Sequence, residues 1–442
     1  LPNDLDIVFI SAYTQASALA YGLAKLYRRD GTLTILGGPH AKAFPDDCLR
    51  FFDVVVRECD KELVADIVRT PPRGSVVTNG RPLREIPSVE ERMPEIRASA
   101  FWRGRPYPSS TVPLLSSVGC PYGCDFCTDW DKPYALLPTD RLEADLRFVI
   151  DEYPNVLMAF HDPNFGVKFD EVLEVLERVP HGSRKRYILE SSLSTLRDGR
   201  LERLRDVGCL YVAPGVESWG AYSNKAGVGP RVSAREKMER VVEHLRLIHE
   251  YVPGIHCNFM FGLDVDRGDE PVELTKEFMV RVPFVWPTIN VPVPFGGTPM
   301  YERHVKERRI LRAMPFLFYY APYLVTTVRN YGPVRFYEKL VELTEQIVST
   351  GALVRRLKAT SGRVRVSLLL RTFSERGILA RYRQLLEAMK ADRGMRTFHE
   401  GASESLPEFY HYVFDRQLGS YAGLVSREDR RPLLTQESRA AR

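Results

Sequence analysis

Along the first seventy residues, short apolar runs alternate with segments of helical period. Residues 6–11 (DIVFIS), 32–36 and 54–57 read as strands, and 16–27 and 46–52 as helices. Such alternation predicts parallel strands joined by crossover helices, a piece of a doubly wound, Rossmann-like sheet over residues 1–70. Ligands on these sheets gather at the carboxyl ends of the strands, where Ser11 and the Gly37-Gly38 pair fall. His40, just beyond, reads as a loop residue. Residues 71–112 hold seven prolines among many charges with no sustained period, and read as a linker.

A second alternation begins at residue 113. Strands are expected at 113–118, 156–160, 187–190, 209–213, 256–261 and 288–293. Helices are expected from 139 onward and at 169–179, 200–207, 233–252 and 271–282. Six strand–helix units argue for an α/β fold built on a partial (β/α)6-type barrel over residues 113–305, with its chemistry at the carboxyl ends of the strands. Those ends carry His161-Asp162-Pro163-Asn164, Glu190-Ser191-Ser192, Gly215-Val216-Glu217-Ser218 and Phe295-Gly296-Gly297-Thr298-Pro299. Each alone reads as a turn or a helix cap. Gathered round one mouth, they read as a site. Residues 306–442 turn mainly helical. The aromatic crowd of Phe316, Phe318, Tyr319, Tyr320, Tyr323 and Tyr331 reads as a packed helical cap, with the walls of a substrate channel as the alternative. The basic run 306–312 reads as a solvated helix face.

Candidate chemistry is concentrated in Gly119-Cys120-Pro121-Tyr122-Gly123-Cys124-Asp125-Phe126-Cys127. Three of seven cysteines fall within eight residues, a spacing whose chance occurrence is on the order of 10⁻³. Glycine and proline keep such a loop tight, so three thiols can converge on one object. Thiolates are soft ligands suited to zinc or to an iron–sulfur cluster. A structural zinc site wants four ligands, usually in two pairs, and no second Cys or His pair lies nearby. Cys209 and Cys257 stand singly in apolar runs and read as core. Three ligands on a four-iron cluster leave one iron open to a substrate, and this arrangement is favoured.

Composition narrows the partners. A net charge of +5 over 442 residues gives no argument for nucleic acid. No run of 18 apolar residues exists, so no membrane span is expected; residues 316–328 come nearest and are broken by Pro322. No signal peptide is evident, and sparse cysteines gathered in one ligand loop fit a reducing cytoplasm. The chain begins at Leu1, close to a strand, which suggests a segment upstream.

Cys120-x₃-Cys124-x₂-Cys127 with Phe126 before the last cysteine resembles the signature loop of the radical S-adenosylmethionine (SAM) enzymes. The likeness continues in Phe160–Phe165 ("D-x-N-F"), in Gly215-Val216-Glu217-Ser218 with Asn224-Lys225 ("G-I-E-S … N-K"), in Phe261-Gly262-Leu263, and in Pro294–Pro299 ("P-x-P-G-T-P", departing around Gly296). The N-terminal part resembles the cobalamin-binding domain that precedes the barrel in one subgroup. Ser11-Ala12-Tyr13 partly matches its S-x-L signal and Gly37-Gly38 its G-G signal. Residues 53–58 resemble "D-x-V-V-R-G-E" without the glycine. The subgroup's D-x-H-x-x-G is absent: it lies upstream of Leu1, or cobalamin is held without a histidine ligand, or none is held.

The resemblance implies a [4Fe-4S] cluster on Cys120, Cys124 and Cys127, with SAM on the open iron and its sulfonium bond split by an electron to give a 5′-deoxyadenosyl radical. It implies Phe126 near the adenine and Asp162 to Asn164 near the methionine amino group. Glu190, Ser192 and Glu217 are candidates for the ribose hydroxyls and amino group. Ser11, Gly37 and Gly38 would face cobalamin, the glycines letting the backbone approach the nucleotide tail. The activity implied is cobalamin-dependent methyl transfer to a small-molecule, natural-product-like substrate, with flavodoxin or ferredoxin as electron donor. The alternatives are rearrangement, cyclisation or oxidation without methylation, and a non-catalytic metal-binding protein.

Overall fold

The computed structural model describes residues 2, 4–79, 86–107, 110–153, 156–179, 186–197, 199–223, 225–229 and 231–434. Asn224 therefore lies outside the described residues, as do Pro82 and Pro108 of the expected linker.

The N-terminal unit is a four-stranded parallel sheet in sequential order, β1 (Ile7–Ser11), β2 (Leu33–Gly37), β3 (Val54–Glu58) and β4 (Ser75–Thr78). Alternate side chains serve opposite faces. Leu36 and Val55 pack with Tyr21 and Ala24 of α1 (Ser17–Arg29) and with Cys48, Phe51 and Phe52. Leu33, Ile35, Val54 and Val56 pack with Ile67 of α4 (Lys61–Arg69), whose N-terminus is capped by the Asp60 carboxylate accepting from Leu63 N–H at 2.9 Å. Two short helices, α2 (Pro39–Ala43) and α3 (Pro45–Cys48), fill the β2–β3 crossover. Helices thus cover both faces, but the strand order never reverses among the described residues.

The expected linker is in part folded. Residues 75–78 complete the N-terminal sheet, and α5 (Val89–Ala100) carries a full capping box between Ser88 and Glu91. Its Val89 N–H donates to the buried Asp145 at 2.9 Å, tying it to α6 (Thr139–Glu152) of the barrel.

The barrel is a six-stranded, wholly parallel sheet: β5 (Thr111–Leu114), β6 (Leu157–Phe160), β7 (Tyr187–Ser191), β8 (Cys209–Glu217), β9 (Gly254–Met260) and β10 (Val285–Asn290), paired in chain order. Between the strands run α7 (Phe169–Glu177), α8 (Arg200–Asp206), α9 (Ala234–Tyr251) and α10 (Glu270–Arg281), and α11 (Pro299–Lys306) follows the last. Cys209 and Cys257 are buried in its core, where desolvation holds both thiols protonated.

Beyond the barrel come α12 (Pro333–Val348), α13 (Thr350–Ala359) and α14 (Gly362–Ala391), with shorter helices after them. The aromatics at 316–331 are packed, but their backbone is largely irregular rather than helical. Phe316 touches His40 and Phe44 at ring distances of 4.9 and 4.1 Å, and Phe318 meets Tyr410 at 5.0 Å. They weld three regions together, so the packed reading holds and the channel reading does not. The basic run is no solvated helix face either. α11 stops at Lys306, and Arg309 is buried with two hydrogen bonds to Asp264 at 2.8 and 2.9 Å. No helix among the described residues is long and apolar enough to cross a membrane.

Candidate active site at the barrel mouth

The cysteine loop leaves the end of β5 and is closed at its base by two paired residues on each side, Ser117–Val118 with Ala135–Leu136. Cys120 N–H donates to Lys132 C=O at 3.2 Å, and Cys127 N–H to Cys124 C=O at 3.0 Å. Gly119 sits at φ +70°, and a Cβ there would lie 2.2 Å from the Pro133 carbonyl oxygen, so only glycine closes this turn. Gly123 has no such need; a Cβ there meets nothing within 4 Å.

Neighbouring elements then fix the loop in place. Asp125 accepts hydrogen bonds from Tyr222 and, at 2.8 Å, from Arg303 of α11, while its carbonyl accepts from Met300 N–H at 2.9 Å. Trp130 Nε1 donates to Gly297 C=O at 2.9 Å. Phe126 stacks on Tyr222, with ring centroids 6.0 Å apart. Lys225 Nζ stands 5.8 Å over the Phe126 ring and 3.9 Å from Glu217. Burial works against the Lys225 ammonium, but Cys124, Glu217, Cys127 and Cys120 more than offset it, and its pKa lies above the usual value. One cation thus faces all three thiols. Desolvation raises Cys124 and Cys127, with Lys225 opposing it at both.

Among the described residues no group of three or more His, Cys, Asp or Glu side chains is drawn together closely enough to hold a metal ion. Zinc would need sulfurs drawn to about 2.3 Å from one centre. Three thiols on one short loop suit the corners of a cluster.

The strand ends are unequal. Asp162, fully buried, accepts from Ser116 N–H (3.2 Å) and from the hydroxyls of Ser116 and Ser117 (2.5 Å each). It anchors the root of the cysteine loop, and its carboxylate is occupied there. Asn164 Oδ1 accepts from Ser192 N–H at 2.8 Å, while its buried Nδ2 has no hydrogen-bond partner. That orientation is set by the Ser192 donor, which leaves an unspent N–H pair at the mouth. A donor of this kind suits a carboxylate or a ribose oxygen, not the ammonium expected from the sequence. Ser192 Oγ is taken up by Ser194 and Thr195, and Ser194 in turn bonds Tyr122 of the loop. Glu190 ends β7 exposed, on the same side of that strand as Ile188.

Glu217 is buried at φ +65°, a conformation that a non-glycine residue reaches only when its surroundings impose it. Its carboxylate folds back over Gly215, where a Cβ would lie 2.3 Å from Oε1; this explains the glycine. Desolvation raises the Glu217 pKa, opposed by Lys225 and Lys237. Buried Lys237 holds the following turn through Ser218 C=O (2.6 Å) and Gly220 C=O (3.2 Å). Ser218 Oγ donates to Asp266 at 2.8 Å. The other Asp266 oxygen accepts from Gly262 and Leu263 N–H at 2.9 and 3.1 Å, stapling the ends of β8 and β9 together. Burial pushes Asp266 up to about 6.

Sequence reasoning passed over Lys225 as a site residue, along with Tyr222, Arg303, Lys237 and the inward-facing Asn258 and Asn290 at the ends of β9 and β10. The period-2 alternation of residues 254–260 carried a signal for Asn258. The others depend on which loops meet in space.

Opposite the cysteine loop stands the carboxyl edge of the N-terminal sheet. A cleft of about 310 Å³ separates them, lined by Gly38, Pro39, Lys42 and Glu58 on one side and by Thr128–Lys132 and Gly296–Thr298 on the other. Lys42 donates to Thr128 C=O at 2.9 Å, and Glu58 sits 3.4 Å from Lys132. Gly296, where the last loop departs from its expected motif, backs onto the N-terminal unit; a Cβ there would lie 2.0 Å from Ala43 C=O. Gly38 (φ +88°) is required by its own unit, since a Cβ would meet Ser11 Oγ at 2.6 Å, and Gly37 has ordinary room. His40 is wholly buried, within 2.6 Å of the Tyr21 hydroxyl, which donates to Asp47 at 2.6 Å; burial lowers its pKa to about 3. Neutral and enclosed, it reaches no ligand in the cleft.

An open parallel barrel with a three-thiol loop after its first strand defines a class of cluster-dependent barrel enzymes. Residues 114–278 match the family described as the radical SAM superfamily. It is similar to the bacteriochlorophyllide d C-8(2)-methyltransferase of Chlorobaculum tepidum, 25% identical over 77% of each chain. It is also similar to that organism's bacteriochlorophyllide d C-12(1)-methyltransferase, 23% identical over 81% of this chain and 78% of that one. The hopanoid C-3 methylase of Methylococcus capsulatus is 24% identical over 64% of this chain, which spans about half (53%) of its length. Among solved structures, the radical S-adenosylmethionine methyltransferase TsrM from Kitasatospora setae, with cobalamin and a [4Fe-4S] cluster bound, superposes with a TM-score of 0.51 at 15% identity. The match covers 70% of this chain and 65% of that one.

Proposed function

We propose that the chain is a cobalamin-dependent radical SAM methyltransferase acting on a small molecule. The observation that carries this reading is the mouth itself: three cysteines on one loop with Lys225 close enough to feel all three, the unspent donor of Asn164 after the second barrel strand, and a cleft shared with the N-terminal unit. The names of the relatives, all methyltransferases or methylases, supply the direction of the chemistry.

Cys120, Cys124 and Cys127 hold the cluster, and Phe126 borders the adenine. Lys225 and Asn164 Nδ2 meet the SAM carboxylate or ribose oxygens, and Glu217 meets its ammonium or ribose hydroxyls. Glu190 reaches in from the exposed end of β7. Asp162 and Ser192 act one step behind, fixing the loop root and Asn164. The cleft and the exposed strand end at Ser11 and Tyr13 would hold part of a corrinoid. Among the described residues lining the cleft there is no histidine. Bound together, these groups supply reductive SAM chemistry and a transferable methyl group. The protein's share is to position them, shield the thiols from water and hold Lys225 charged. An electron carrier such as flavodoxin or ferredoxin completes the reading.

The test is anaerobic reconstitution with iron, sulfide and hydroxocobalamin, then reductant and methyl-labelled SAM. About four irons per chain, retained cobalamin, label on the cobalamin and release of S-adenosylhomocysteine are expected. Deoxyadenosine formation with no cobalamin retained would replace methyl transfer by other radical chemistry. Asn164→Asp keeps the acceptor for Ser192 and removes the donor, so SAM affinity should fall about tenfold or more; unchanged affinity removes Asn164 from the site.

A further inference from the structure

The far end of the barrel, opposite the cysteine loop, is closed by α13 and the first half of α14. Arg371 of α14 donates to His256 Nδ1 at 3.0 Å, near the amino end of β9, while Val364, Leu368 and Thr372 face inward. The outward side is unusual. Val366, Leu370 and Phe373 are 56, 64 and 52% exposed and form one stripe at helical spacing, with Val354 of α13 exposed nearby. Arg363 and Arg376 flank the stripe on its two shoulders, with Arg365 on the same side as Arg376 about three turns earlier.

Charge marks the same segment. Residues 350–377 carry seven Lys and Arg against one Glu, a net of +6, whereas the whole chain carries +5. Everything else nearly balances. Some surface arginines elsewhere pair with carboxylates, as Arg203 does with Asp170 and Glu177. Among the described residues no ion pair involves Arg363, Arg365 or Arg376. Buried Arg356, stacked over Trp286 at 4.7 Å, is the exception that serves the core.

We propose that this face docks on an anionic lipid surface. A second copy would bring two strongly cationic faces together. A convex helical ridge with protruding apolar side chains offers no groove for a protein segment, and an electron carrier would sit at the wrong end of the barrel. A lipid boundary accepts both features: the apolar stripe enters between acyl chains, and the flanking arginines hold phosphate headgroups. The barrel mouth then faces away from the lipid, toward water-borne cofactors.

Flotation of the full reconstituted chain with vesicles tests this. Phosphatidylcholine–phosphatidylglycerol vesicles should carry about tenfold more protein than phosphatidylcholine alone, less at high salt. The triple variant Val366→Ser, Leu370→Ser, Phe373→Ser should lose most of the binding. The triple variant Arg363→Gln, Arg365→Gln, Arg376→Gln should lose the preference for anionic lipid. Both variants change exposed side chains, and unchanged circular dichroism and iron content verify the fold. Absence of flotation with anionic vesicles at low salt overturns the proposal. So does equal binding to neutral vesicles, binding untouched by either variant, or capture by an acidic protein without vesicle binding.

Discussion

The two walls of the cleft are built in opposite ways. On the barrel side, Glu217, Lys237, Asp266 and Asp162 are buried and bonded to backbone or hydroxyl groups, so the mouth is set before any ligand arrives. On the N-terminal side, the face toward the cleft is tied by Lys42 with Thr128, Glu58 with Lys132 and the close approach of Gly296 to Ala43, while His40 and Phe44 pack on Phe316 behind it. The first wall gives the orientation that a reacting cofactor needs. The second presents polar ties to the cleft and a packed aromatic seam behind it.

The largest effect should come from the barrel wall. Replacing Cys120, Cys124 or Cys127 with Ala should reduce iron content and take deoxyadenosine formation to background, leaving the N-terminal unit folded. Retained activity in any of the three would dissolve the contrast at its root. Next comes Gly296→Ala, which drives a Cβ into the Ala43 carbonyl. A penalty of about 1–3 kcal/mol for overpacking should lower cobalamin retention about tenfold or more, with iron unchanged. Loss of both cofactors together would mean that the walls are one rigid body.

Asp266 separates rigidity from charge. Asp266→Ala leaves three donors unmet and should cost about 1–3 kcal/mol. Its folded pKa, about 6, lies above the usual carboxyl value of 3.8, so the native state holds the proton more tightly. The stability this contributes is complete below about pH 4 and is lost as pH rises through about 6. Asp266→Asn can keep accepting from Gly262 and Leu263 while facing Ser218 with its amide. It should match the parent near pH 4 and melt higher at pH 7; a lower melting temperature at both would contradict the assigned charge cost. The smallest effect is Lys42→Ala, under about 1 kcal/mol, read as slightly faster cobalamin loss.

The sequence made the cysteine loop plain because spacing alone brings its ligands together. The strand–helix alternation was equally visible, since each barrel strand is a short apolar run between helical periods. What escaped notice depended on long-range contact. Residues 75–78 are four residues beside Pro71 and Pro72, too short to stand out, and α5 was masked by its internal Pro94. Lys225 sits in a turn, and only the fold sets it before three thiols. Arg309 looked solvated because its partner Asp264 is 45 residues away.

Lys42 holds the carbonyl of Thr128, one residue beyond Cys127, and so ties the N-terminal unit to the cysteine loop. Any change that loosens that unit should shorten the survival of the brown colour in air, even where every sulfur ligand is intact. Bleaching rate under oxygen therefore reports how firmly the two halves are shut.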